Sequence, residues 1–313
     1  MDSGILLLNK PSGISSNQAL QKAKKILNIK KAGHFGTLDP LAQGLLILGI
    51  NYGTKLSSFL LNEDKEYEAK IHLGITTDTD DSEGKIIASS NKTVSNFEVA
   101  QALKKIMGIQ YQVPPRFSAI KVKGKKLYQY ARNGQEIIIK PREVNIKECE
   151  LVKFEFPMLK LKLKVSKGTY IRSIARDLGE SLGIGAHITS LNRTRQGIFN
   201  LLDAVSLENI SEENILELDQ IFPNCLNLEI SDSQLIDLHH GRRPKIASPC
   251  WPPSIAVRKT HHLPKKPAVG GIPARDRRKN ANARPAAGWR LPIPARDRKS
   301  TRLNSSHQII SYA

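Results

Sequence analysis

The chain has 313 residues, 40% of them apolar, enough for one large domain with a real core and a smaller second one. Its net charge of +19 invites a nucleic-acid partner, yet residues 246–313 alone hold 14 of the 48 Lys and Arg and 2 of the 29 Asp and Glu, leaving residues 1–245 only moderately basic. Cys149, Cys225 and Cys250 are scattered, no basic segment precedes the short apolar run at residues 5–8, and no stretch has the length of a membrane span; a disulfide framework, a zinc knuckle and a spanning helix are excluded, and a cytoplasmic protein is expected.

In chain order, a helix is expected over residues 17–27, followed by a glycine-rich loop and the run Leu45-Leu46-Ile47-Leu48, which reads as a buried strand. Tyr67, Ala69, Ile71 and Leu73 alternate as a half-buried strand does. Ser95-x-x-Glu98 is a capping box opening a helix with Val99, Leu103 and Ile106 on one face. Residues 159–166 alternate strictly, Leu159, Leu161, Leu163 and Val165 against Lys160, Lys162, Lys164 and Ser166. Ile171, Ile174, Leu178 and Leu182 then mark a helix ending at Gly183. Without regular βαβ spacing, this pattern predicts an α+β domain with a largely antiparallel or mixed sheet flanked by helices and loops. Residues 246–313 hold 9 of the 17 prolines, repeat Ile-Pro-Ala-Arg-Asp-Arg and show no periodicity; we read them as a foreign, disordered tail.

The densest unusual segment is Gly33-His34-Phe35-Gly36-Thr37-Leu38-Asp39-Pro40-Leu41-Ala42-Gln43-Gly44. Glycines permit close backbone approach, and Pro40 biases Asp39 away from helical geometry, so one carboxylate is held on a constrained loop. An isolated Asp-Pro pair would be read as a turn initiator. Acidic Asp78, Asp80 and Asp81 suggest a calcium loop, but Glu83 stands where its glycine belongs and Ser89 where its final acid belongs, so no metal is expected. Between residues 114 and 134, Arg116, Lys121, Lys123, Lys125, Lys126 and Arg132 interleave with Phe117, Tyr128 and Tyr130, a mixture suited to phosphate contact and base stacking.

These segments come in an order that carries a resemblance. The loop of Asp39, preceded by Leu8-Asn9-Lys10-Pro11-Ser12-Gly13-Ile14-Ser15-Ser16, is followed by Asp64-Lys65-Glu66-Tyr67, Thr77-Asp78-Thr79-Asp80-Asp81, Pro114-Pro115-Arg116-Phe117-Ser118-Ala119-Ile120-Lys121, Leu127-Tyr128-Gln129-Tyr130-Ala131-Arg132-Asn133-Gly134 and Ser166-Lys167-Gly168-Thr169-Tyr170-Ile171-Arg172. Together they resemble the TruB-type tRNA pseudouridine-55 synthases. The resemblance implies a pseudouridine-synthase-like fold over residues 1–230 with a thumb-like RNA-binding insertion, and the start of a truncated PUA-like domain at residues 231–245. It implies isomerisation of a T-loop uridine of tRNA by a cofactor-free monomer. Asp39 would be the catalytic carboxylate, Arg172 its partner and Tyr67 the ring that stacks on the flipped base. Tyr170 and Leu191 would line the pocket, His34 would occupy space left by flipped nucleotides, Lys10 would support the loop or a phosphate, and Asp81 would hydrogen-bond flipped bases.

Two other readings compete. A nucleotidyltransferase would use Gly33-His34 beside the glycine-rich turn, but the second histidine of such a site is absent. A tRNA-binding folding chaperone would use the same surface without chemistry.

Overall fold

The computed structural model describes residues 3–217 and, beyond them, residues 221, 226–228, 231, 233, 236–237, 240 and 255–257. The chain divides into a unit of residues 1–224 and a second of residues 225–313, in which the short strands Leu226–Leu228 and Ile255–Val257 pair in parallel. The expected PUA-like start at 231–245 and the expected tail at 246–313 lie almost wholly outside the described residues.

The first unit is built on a ten-stranded sheet. Its strands are β1 (Gly4–Lys10), β2 (Ala32–Phe35), β3 (Gln43–Ile50), β4 (Lys65–Leu73), β7 (Gly108–Gln112), β10 (Arg142–Glu155), β11 (Met158–Val165), β12 (Ala186–Gln196), β13 (Phe199–Asn200) and β14 (Ile215–Glu217). Two hairpins stand apart, β5 (Ile75–Thr77) with β6 (Ile86–Ser89) and β8 (Lys121–Val122) with β9 (Lys125–Lys126). The order β14-β1-β3-β12-β4-β11-β10-β7 is antiparallel throughout, except where β12 meets β3 in parallel. The expected α+β class with a mixed, mainly antiparallel sheet is what the chain adopts.

Local chemistry explains the elements. Helices α1 (Ser16–Ile26) and α3 (Asn96–Ile106), separated in the chain by the single turn α2 (Ser57–Leu60), each start with a capping box, Ser15 with Gln18 and Ser95 with Glu98, which satisfies backbone donors that a helix start leaves free. Together with α5 (Ile171–Ser181) they bury Ala19, Leu20, Val99, Leu103, Ile174 and Leu178 against one face of the sheet. A smaller cluster with Phe35 and Phe199 contains Ile5, Leu7, Leu45 and Ile47. Strands β1 and β3 are therefore apolar at nearly every position, because both of their faces are covered. Strands β4 and β11 alternate, because one face is wet.

The junction of β3 and β12 positions the site. Strand β1 pairs along one edge of β3 from Gly44 to Ile50. The other edge is shared: β2 takes residues 47–50 and β12 takes only Gln43 and Gly44. The β2–β3 connection, carrying Asp39, emerges beside the interval between them. Gly44, at φ +100°, lies so close to the backbone of Arg193 and the side chain of Asn192 that a Cβ would collide with both. The insertion of residues 113–141 leaves and re-enters the sheet at the paired residues Gln112 and Arg142. It contains the β8–β9 hairpin, turned by Lys123 and Gly124 at positive φ, and the short helix α4 (Leu127–Arg132).

Candidate active site

The loop bearing Asp39 is fastened from several directions. The buried Ser16 hydroxyl accepts the Leu38 N–H at 2.7 Å and donates to the Leu38 carbonyl at 2.8 Å. The Gly13 N–H donates to the Pro40 carbonyl at 2.8 Å, and the Ser12 hydroxyl to the Leu41 carbonyl at 2.9 Å. The segment that does this is itself shaped by Lys10, whose Nζ donates to the carbonyls of Pro11 at 2.8 Å and Ile14 at 2.7 Å. Lys10 is fully buried, which pushes its ammonium down to about 8 even though Asp39 and Glu83 pull it upward. Both of its bonds fall on the segment of residues 11–14 that fastens the Asp39 loop.

Arg172, on the first turn of α5, reaches into the same place. Its Nε lies 2.9 Å from Asp39 Oδ2 and its Nη1 3.4 Å from Asp81 Oδ2. Nη1 also donates to the Thr79 carbonyl at 3.0 Å, and Nη2 to the Phe117 carbonyl at 2.9 Å. The Nε contact lacks hydrogen-bond alignment, so it is a charge contact rather than a bond. Arg172 is almost completely buried, whereas about a third of the Asp39 side chain, 36%, stays open. Burial raises the Asp39 carboxyl above its ordinary value of 3.8, and Arg172 opposes that rise.

Asp81 faces inward. Its Oδ1 accepts the Thr79 hydroxyl at 2.6 Å and the Glu83 N–H at 3.0 Å, and its Oδ2 faces Arg172. With 3% of the residue exposed, the geometry suits orientation of the guanidinium better than contact with a flipped base.

Tyr67 on β4 and Leu191 on β12 are buried in the cluster that also holds Leu38, the neighbour of Asp39. Tyr170 is gripped through its backbone: its N–H donates to Gln112 Oε1 at 2.8 Å, and Gln112 Nε2 donates to its carbonyl at 3.1 Å. Burial raises the Tyr170 phenol, and the charge of Asp39 adds to the rise. His34 sits on β2 opposite Leu48, with Nδ1 buried and unbonded; burial, then the charge of Arg193, lowers its value. No hydrogen bond or ion pair joins His34 to Asp39 among the described residues.

Residues 24–171 match the TruB family pseudouridylate synthase N-terminal domain, and residues 172–222 match the tRNA pseudouridylate synthase B C-terminal domain. The tRNA pseudouridine synthase B of Aromatoleum aromaticum is 45% identical over 254 residues, 79% of this chain and 82% of that protein. The chain belongs to the TruB family. The tRNA pseudouridine synthase B of Pseudomonas aeruginosa is 48% identical over 208 residues, 66% of this chain and 68% of its own length. Among solved structures, a chain of a Cbf5–Nop10–Gar1 complex matches with a TM-score of 0.59 at 28% identity, covering 77% of this chain and 68% of that one.

Several residues of this TruB chain escaped the sequence reading. Ser16 was visible only as part of a motif, and Thr79 and Phe117 act through their carbonyls, which no side-chain pattern reveals. Arg193 is buried to 1% on β12. Lys65 is buried too, held at about 8 by burial and by the charge of Arg193, with its Nζ on the carbonyls of Leu61 and Glu63. In the insertion of the TruB chain, Lys126 and Arg132 both lie 5.5 Å from the centre of the Tyr128 ring, the cation–aromatic mixture expected there. Among the described residues no helix is long and apolar enough to cross a membrane, and no group of three or more His, Cys, Asp and Glu side chains is placed to hold a metal.

Proposed function

We propose that this protein isomerises uridine to pseudouridine in tRNA, that its target is the T-loop uridine at position 55, and that Asp39 is the group that acts on the nucleotide. The observation carrying this reading is the Asp39–Arg172 pair: one partly open carboxylate against one buried guanidinium, in a chain of the TruB family. The reaction breaks the bond between C1′ and N1, forms one between C1′ and C5, and moves a proton from C5 to N1. It is balanced without oxidant, reductant or co-substrate.

The protein must therefore supply an ionised group that engages and then releases the nucleotide, and a pocket that holds the base while it turns. Asp39 supplies the first, and Arg172 favours its charged form against the pull of burial. A uridine within a folded loop is out of reach until it is flipped out, and its lost stacking must be replaced. Tyr67, Tyr170 and Leu191 form that replacement surface, and His34 fills space vacated in the loop. The basic insertion grips phosphates of the T arm.

The test is tritium release from T-arm RNA carrying 5-tritiated uridine at position 55. The protein should release it and Asp39→Ala should not; equal release from RNA labelled only at other positions would overturn the assignment of the site. A chain that binds and refolds tRNA but releases nothing would be the chaperone instead. The same reading takes the enzyme to be a cytoplasmic monomer whose activity a chelator leaves intact and whose rate persists when the chain ends at residue 245. Light scattering and the release assay check these points.

A further inference from the structure

Among the described residues Arg193 is the bulkiest side chain buried to within 2%, and no carboxylate lies within ion-pair distance of it. Its partners are carbonyls. Nε donates to Leu45 at 2.7 Å and Nη2 to Gly36 at 3.0 Å. Those two oxygens flank the loop that carries Asp39, Gly36 directly after β2 and Leu45 two residues into β3. They also stand at the interval on the shared edge of β3, where pairing with β12 stops at Gly44 and pairing with β2 begins at Ile47. Backbone acceptors there have no neighbouring strand to bond them, and a buried acceptor left unbonded is unfavourable. The planar fork of a guanidinium holds two such acceptors from separate nitrogens in fixed directions, whereas the ammoniums of Lys10 and Lys65 bond their two carbonyls from a single rotatable nitrogen.

A buried cation without a counter-ion is itself unfavourable, and an apolar side chain would fill the space more cheaply. What the cation adds is geometry. The strand behind it is anchored twice, since the Arg193 backbone pairs with Gly44 on β3 and with Tyr67 on β4. From these contacts we infer that Arg193 is a positioning residue for the reaction, fixing both ends of the Asp39 loop and thereby the aim of the carboxylate, without touching the nucleotide. This rests on the reading of Asp39 as the reacting group.

Arg193→Lys keeps the charge and most of the volume but loses the fork. It should lower the single-turnover rate of tritium release on the order of 100-fold, the scale of a small misplacement of a reacting group. The dissociation constant for tRNA should stay within about threefold, since positioning and not grip has changed. If the lysine variant does not fold, Arg193→Gln, with a neutral amide for one of the two carbonyls, carries the same measurement. A folded variant whose rate per folded molecule matches wild type, or whose loss lies wholly in tRNA affinity, overturns the inference. No release by the wild-type protein would instead overturn the function on which it rests.

Discussion

The first turn of α5 and the middle of β12 each send a buried arginine to the Asp39 loop, and the two meet different partners. Arg172 faces two carboxylates, Asp39 and Asp81, as well as carbonyls. Arg193 faces carbonyls alone. A charge pair responds to protons and sets which form of the carboxylate is present. A carbonyl clamp pairs with no second charge and sets where the carboxylate stands. Ionisation and position are thus controlled from separate elements, and each can be disturbed with the other left in place.

The largest disturbance is to the shared target. Asp39→Asn preserves shape and removes the charge, and single-turnover tritium release should fall by about 10⁴-fold or more, with tRNA affinity little changed. Next is Arg172→Met. It leaves Asp39 and Asp81 without their common partner, so unfolding titrations should show a loss of about 3–5 kcal/mol, as when one member of a buried pair is removed. Arg172 pulls the Asp39 value down, so the acid limb of the rate profile, already above 3.8 in the wild type, should move further upward in this variant. A limb that stayed still would mean that Arg172 does not set the ionisation of Asp39.

Ser16→Ala tests the positioning side. It strands the N–H and carbonyl of Leu38, both of which the hydroxyl serves, and should cost about 1–3 kcal/mol of stability, with a smaller fall in rate than any charge variant and no shift of the acid limb. The smallest effect concerns Lys10, whose value falls from 10.5 to about 8 on folding. Below pH 8 the lysine is protonated folded and unfolded, and the cost of burying its charge is felt in full. Between 8 and 10.5 the unfolded chain keeps a proton that the folded chain releases, so stability rises with pH. Denaturant midpoints for wild type relative to Lys10→Met should therefore climb across that window.

How much of this could be read beforehand follows from which faces are wet. Alternation revealed β4 and β11 because one side of each meets water. Capping chemistry revealed α1 and α3. Strand β10 left no signal: most of its 14 residues are not buried, and its pairing with β11 slips twice. At the site, glycines and a proline singled out Asp39, and only the family resemblance singled out Arg172. Arg193 stayed hidden because the register shifts between Ile188 and Ser190; alternation counted from Ile188 points Asn192 inward, and the shift turns Leu191 and Arg193 there instead. Lys10 was named by the resemblance, but nothing in the pattern marked it as buried, since lysine is ordinarily an exposed residue.

The clamp also bears on when this protein can become an enzyme. The bonds from Arg193 to the carbonyls of Leu45 and Gly36 join residues 148 and 157 positions apart. Contacts of such span are closed late, after the loop entropy between them has been overcome. A growing chain that has already completed the Asp39 loop and its serine fastenings still lacks the far wall until β12 has been made and laid beside β3. Catalytic competence is then acquired near the end of synthesis of the first unit, and the appearance of activity serves as a clock for the closing of its sheet.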